Sequence, residues 1–355
     1  MYVVMLSMVF LPVLLPLTLA WVIGRGHPRP TMPPNLGPHA QKALRAARTR
    51  VLVAVAIFLL APAVFAGARL GIPMMSSEFG RMLLVMPFAA TSIGILAYVV
   101  YPIRGTDSLP QQSASLAPRT WRDSLTLGAV AGWIAAAVSL VVAIVGFGVT
   151  SSPDGAGRYR MYTAVIHYPD FDTTSTTSPY PGWYYTVPVL VAAAVLVLVT
   201  WFALRRTSLA PSLPGVGLER ADARWRQDSA DIILRLSAGA LFVQSAVISW
   251  MGLTCLQNML PDKHHEPGMI ASTSVFDSWG TSVVGLGALA LTIAGIAYLL
   301  SAFVGAVSLP SKAIQEQNRE LSQSSAAVFH LSEVPHSAVV VERGSDSVEP
   351  DGETA

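Results

Sequence analysis

The chain has 355 residues, 52% of them hydrophobic and 12% charged, with a formal net charge of +2. Soluble domains carry about a quarter charged residues, so this deficit points to a bilayer as the solvent, and so small a charge argues against a nucleic-acid partner. A single cysteine, Cys255, excludes an internal disulfide framework and any CxxC metal or redox motif.

Seven segments are long and apolar enough to cross a hydrocarbon core of about 30 Å, and backbone groups in lipid must pair within their own segment, so each is predicted to be a helix. The first covers residues 2–23. No Lys or Arg precedes it, whereas Arg25 and Arg29 follow it. Secretory signals have the opposite polarity, so it reads as a retained anchor with the N-terminus outside. A proline-rich stretch and a short basic helix, "KALRAARTR", lead into the second span at 51–68. The third span is 82–103. The fourth, 125–150, sets Gly128, Gly132 and Ala136 four residues apart, a spacing that lets helix backbones pack closely.

A polar stretch rich in Gly, Ser and Thr follows, with His167, Asp170 and Asp172, and reads as a solvated loop. The fifth span is 184–204. After it, "LERADARWRQDSADIILRL" reads as a helical lead-in lying along the membrane interface. The sixth span, 232–257, is the most polar. Gln244, Ser245 and Ser249 lie within it, and Gln244 is expected to face the bundle interior and find a hydrogen-bond partner there. "DKHHEPGM" separates it from the seventh span, 279–308. Beyond residue 308 the sequence "SKAIQEQNRELSQSS" predicts a short helix, and the acidic remainder, to residue 355, cannot bury enough surface to fold.

Lys and Arg in the loops set the orientation. Seventeen fall in the first, third and fifth loops and the tail, and five fall on the alternate side: Arg69, Arg81, Arg158, Arg160 and Lys263. That asymmetry predicts an all-α integral membrane protein with seven transmembrane helices, the N-terminus outside and the C-terminus in the cytoplasm. Trp21, Trp183, Trp201 and Trp279 fall near span ends, where amphipathic rings favour the headgroup region. Twenty Arg against three Lys, with abundant Ala, Val, Leu and Gly, point to a high-GC bacterial genome and hence to the bacterial plasma membrane.

The spans contain no Asp, Glu or Lys, and their one Arg, Arg235, lies near an end. This argues against ion coupling at the membrane midplane. No GxSxG, Walker A or GxGxxG motif supports an enzyme. The expectation is a multi-pass protein without a cofactor, acting as an accessory or permease-like component with a cytoplasmic or membrane partner protein. The alternative is metal handling at the outer face. His167, His264 and His265 fall on that side with Met74, Met75, Met161, Met259 and Met269, and imidazole and thioether suit copper or zinc. No repeated spacing unites these residues, and adjacent side chains in an extended segment point to opposite faces.

Overall fold

The computed structural model describes Thr49 and residues 77–100, 125–167, 171–209, 219–259, 272–273 and 278–332. The first two predicted spans lie outside these residues.

Five described helices are long and apolar enough to cross a membrane. They are α1 (Ser77–Val100), α2 (Leu127–Val149), α3 (Trp183–Ser208), α4 (Glu219–Met259) and α5 (Ser278–Ser332). The stretches expected to span at 82–103, 125–150, 184–204, 232–257 and 279–308 each overlap one of these helices, with residues 101–103 outside the described ones. The chain is therefore a mostly helical membrane protein.

Local signals fix the helix ends. Thr126 caps α2 by accepting from the Ala129 N–H at 3.4 Å, and its own hydroxyl donates to Asp231 of α4 at 2.6 Å. At the end of α3, the Arg226 guanidinium of α4 donates to the Ser208 carbonyl at 2.7 Å. That contact places a cation on the negative end of a helix. Pro87 and Pro188 sit inside α1 and α3. Beside the first of them, Thr91 donates to the Pro87 carbonyl at 2.7 Å.

The five helices alternate in direction around α4. Of its membrane-crossing stretch 83% is buried, against 22% for α2, 33% for α3 and 17% for the stretch Gly280–Ala306 of α5. Among the described helices α4 is thus the axis, and α2, α3 and α5 leave most of their surface open. α5 runs antiparallel along α4, and two glycines bring the pair close. A Cβ on Gly295 would lie 3.0 Å from the Val243 backbone nitrogen, and one on Gly239 would lie 3.1 Å from that of Leu299.

Two extents differ from expectation. The lead-in before the sixth span is coaxial with it, giving one helix of 41 residues. Its polar groups at that depth are used against neighbouring helices, which holds it upright rather than along the interface. The last span likewise continues unbroken into the tail as one helix of 55 residues. Residues 333–355 lie outside the described residues.

One end of the bundle carries a sheet where a loop was expected. β1 (Ser152–Pro153), β2 (Tyr159–His167), β3 (Asp172–Thr177) and β4 (Ser272–Thr273) are antiparallel, with β1, β3 and β4 all pairing to β2. Tyr162 is buried while Thr163 and Val165 are exposed, so β2 alternates between a covered and an open face. Beneath the sheet a second cluster of Tyr162, Tyr180, Cys255, Leu256 and Met259 seats it on the bundle.

Candidate functional site

Two polar features stand out: a stripe along the buried axis and a charged cluster at the sheet-bearing end. Arg226, Ser237, Gln244 and Cys255 are spaced by 11, 7 and 11 residues, near-whole numbers of turns, and so share one face of α4. Three of them meet the elements around them. Arg226 binds the end of α3. The Ser237 hydroxyl accepts from Trp133 Nε1 of α2 at 3.0 Å and from Thr200 of α3 at 3.1 Å, tying three helices together. The Cys255 thiol donates to the Pro179 carbonyl at 2.9 Å.

Gln244 differs. It is 0% exposed, and neither its Nε2 nor its Oε1 has a hydrogen-bond partner among the described residues. Ser92 Oγ of α1 is in the same condition. Ser245 and Ser249 are buried too, but they donate back to the Leu241 and Ser245 carbonyls at 2.8 and 2.9 Å. An amide unpaired in an apolar interior costs about 1–3 kcal/mol by mutational measure. The partner expected for Gln244 is therefore not supplied by the described helices.

The stripe of three small residues on α2 divides. Ala136 is fully buried, and a Cβ on Gly132 would collide with the Tyr298 ring of α5, whereas one on Gly128 would meet nothing within 4 Å. Gly132 and Ala136 pack within the chain, and Gly128 sits in the open first turn.

At the sheet-bearing end, the turn between β1 and β2 is built on Asp154. Its carboxylate accepts from the Ala156 and Arg158 N–H groups, both at 2.9 Å, from Arg158 Nε at 3.1 Å and from Arg160 Nε. Gly157, at φ 75°, closes the turn in a conformation that suits only glycine well. The Arg158 backbone N–H, opposed by partial burial and helped by the other donors, holds the Asp154 carboxyl well below its ordinary range. Both guanidinium groups lie over the Tyr184 ring, at 5.5 and 6.0 Å from its centre, and Arg81 of α1 lies over the same ring at 4.7 Å. The sequence put Arg81, Arg158 and Arg160 on one predicted side but did not bring them together, Arg81 and Arg158 being 77 positions apart.

Two tyrosines give this cap its pH dependence. Burial pushes the Tyr180 phenol up to about 12, against a smaller opposing effect of the Thr150 hydroxyl 2.6 Å away, and burial raises Tyr162 as well. Below pH 10 both phenols are neutral whether the cap is docked or not. Between 10 and about 12 the released cap ionises first, so docking is lost as pH rises. Asp154 acts at the acid side: its contribution is present above its ordinary value of 3.8 and falls away below it. Amide exchange of β2 and β3, followed from pH 3 to 11, should show protection highest between these limits and beginning to decline towards both ends. Flat protection across that range would contradict the assigned burial.

Of the predicted metal ligands, His167 is the last residue of β2, paired with Ser272, while its side chain and all of His264 and His265 lie outside the described residues. Among the described residues no group of three or more His, Cys, Asp or Glu gathers as a ligand set. Comparison of the chain with protein-family models, with curated proteins and with solved structures found no match.

Proposed function

We propose that the chain is a multi-pass protein of the bacterial plasma membrane, with seven helices, the N-terminus outside and the C-terminus in the cytoplasm. It acts as an accessory or permease-like component with a partner protein and performs no chemistry of its own. The observation that carries this reading is α5. Its apolar stretch ends at Ala306, yet the helix continues to Ser332, about 39 Å further at 1.5 Å per residue. Ile314, Leu321 and Val328 recur there every seven residues, with a polar run from Gln315 to Glu320 between the first two, the spacing on which a second helix docks. Arg205, Arg206, Arg224 and Arg226 lie at the same end, which supports its assignment to the cytoplasm.

The test is purification from the native membrane of the wild-type chain and of Leu321→Glu/Val328→Glu. A stoichiometric partner held by the wild type and lost from the variant is expected. A monodisperse, partner-free wild type that transports a substrate alone would overturn the reading.

Gln244 supports the permease-like part. Its amide, buried among apolar side chains and without a partner among the described residues, suits a polar, uncharged group in transit. Gln244→Leu is expected to keep or raise stability by about 1 kcal/mol, because an unpaired amide is replaced by an apolar side chain of similar size. The function of the complex should be lost with it. A stability loss well beyond that margin, measured by denaturant unfolding in detergent, would make Gln244 a structural hydrogen-bonding residue instead.

One observation favours a second reading, an outer metal site for copper or zinc. The backbone pairing of His167 with Ser272 joins the end of β2 to β4, and His264 and His265 precede Ser272 by eight and seven residues in the sequence. Elemental analysis after metal loading and desalting, with His264→Ala/His265→Ala as control, decides it. Near-stoichiometric metal lost in the variant supports the site, and no retained metal in the wild type removes it.

A further inference from the structure

We infer that the helix docking on α5 is α5 of a second copy of this chain, so that the protein is a parallel homodimer joined along one seam from the membrane into the cytoplasm. The inference rests on the reading that a second helix docks on the end of α5, and it names the occupant. The seven-residue spacing of Ile314, Leu321 and Val328 does not begin at the membrane surface. Counted back along the same unbroken helix, it passes through Val307 and Leu300 to Ile293 and Leu286. Three residues before each of these seven stand, in chain order, Val283, Ala290, Ala297, Val304, Ser311, Asn318 and Ser325. The two series together make the alternating three- and four-residue steps of a coiled-coil seam. Within the bundle this seam lies opposite α4. Gly285, Gly295 and Leu299 meet α4, whereas Val283, Leu286 and Ile293 are 65%, 69% and 59% exposed, and Ala290 and Ala297 are exposed with them.

The chemistry of the seam fits a copy of itself. Two chains inserted with the same topology bring α5 to α5 in parallel, about a twofold axis along the membrane normal, so each seam residue meets its own counterpart. A charge in the seam would then face a like charge. Between Ser311 and Val328 the charged residues are Lys312, Glu316, Arg319 and Glu320, and all four fall outside the seam and its flanking positions. Those flanking positions hold Gln315, Gln317, Ser322 and Ser324. Asn318 occupies the seam position at which one asparagine fixes register and strand number, its amide pairing with the same amide of the copy. Pro310, where α5 leaves the membrane, does not interrupt the helix. Inside the bilayer Leu286 and Ile293 gain little by leaving lipid, and there Ala290 and Ala297 act by letting the two backbones approach closely. Outside it, Ile314, Leu321 and Val328 leave water on docking, which is the driving force. The membrane half holds the two short extensions at high effective concentration. A strict seven-residue repeat drifts about 20° per heptad on a straight helix, so the pair winds left-handed.

The test is disulfide trapping of the full chain in its native membrane. Single cysteines are placed in the seam by Ala290→Cys and Ser325→Cys, and off it by Ala326→Cys and by Val142→Cys on the open face of α2. Native Cys255 is buried, and the wild type controls for it. Mild oxidation before detergent is added should give a band of twice the chain mass at Ala290→Cys and Ser325→Cys, several-fold stronger than at the other two positions. Native mass spectrometry should find two copies in the wild type and mostly one in Leu321→Glu/Val328→Glu. Equal trapping at all four positions would record random collision and overturn the inference. A wild type of single-chain mass that holds a different protein, lost from Leu321→Glu/Val328→Glu, overturns the inference but keeps the reading beneath it. A wild type of single-chain mass with nothing attached removes both.

Discussion

Gly295→Val should lower the stability of the helix bundle by about 2–3 kcal/mol, at the upper end of what overpacking costs. The reason lies in what faces that position. An added Cβ would stand 2.8 Å from Val243 Cγ2 and 3.0 Å from the Val243 backbone nitrogen, and the second of these cannot rotate away. Relief requires α5 to move off α4 along the most extensive helix contact among the described residues. Gly287, on the same helix, is the control. Nothing lies within 4 Å of a Cβ there, and alanine favours a helix over glycine by up to about 1 kcal/mol. Gly287→Ala should therefore be neutral or stabilising. Unfolding of both variants in mixed micelles, scored against wild type, checks the pair; equal losses would mean that α4 and α5 do not approach as described.

Asp154→Ala should release the sheet from the end of the bundle while leaving the helices intact. Four hydrogen bonds end on that one carboxylate, two from the backbone of its own turn and two from the arginines that cross the Tyr184 ring. Without it the turn loses its organising acceptor, and two guanidinium groups are left side by side with no anion between them. Amide protection of β2 and β3 should fall to that of an open loop, and the tyrosine near-ultraviolet signal from Tyr162 and Tyr180 should collapse. Helical content should be unchanged. Asp154→Asn keeps an acceptor oxygen without the charge and should give an intermediate result. Protection retained in both variants would show that the cluster beneath the sheet holds the cap by itself.

The five described helices were legible in the sequence to within a few residues at most boundaries, because a bilayer imposes a minimum length of apolar residues that few other constraints mimic. The long extensions were not. Nothing in "LERADARWRQDSADIILRL" reveals that Asp231 will meet Thr126 or that Arg226 will cap α3, and those contacts keep α4 straight. The sheet was missed because composition outweighed pattern. Gly, Ser, Thr and Pro dominate the stretch, while the alternation in "YTAV" is short and half of it faces solvent. Gln244 could be placed inside a bundle by the cost of an amide in lipid, but its lack of a partner among the described residues needs coordinates. The arginine cluster had one sequence signal, the predicted side of the membrane that Arg81, Arg158 and Arg160 share, and nothing that brought them together. Its members come from α1, the β1–β2 turn, β2 and α3, and only the docking of the sheet unites them.

The central place of α4 has a consequence for the order of synthesis. The ribosome delivers α1, α2 and α3 first, so Trp133 and Thr200 enter the bilayer before Ser237, the hydroxyl to which both donate, has been made. Tyr98 likewise precedes Ser229, to which it donates at 3.1 Å. Until α4 inserts, the earlier helices share no axis and carry polar groups whose native partners do not yet exist. Assembly must then wait for a late segment and close around it, so a chain truncated after α3 is left without its axis and open to quality-control proteolysis.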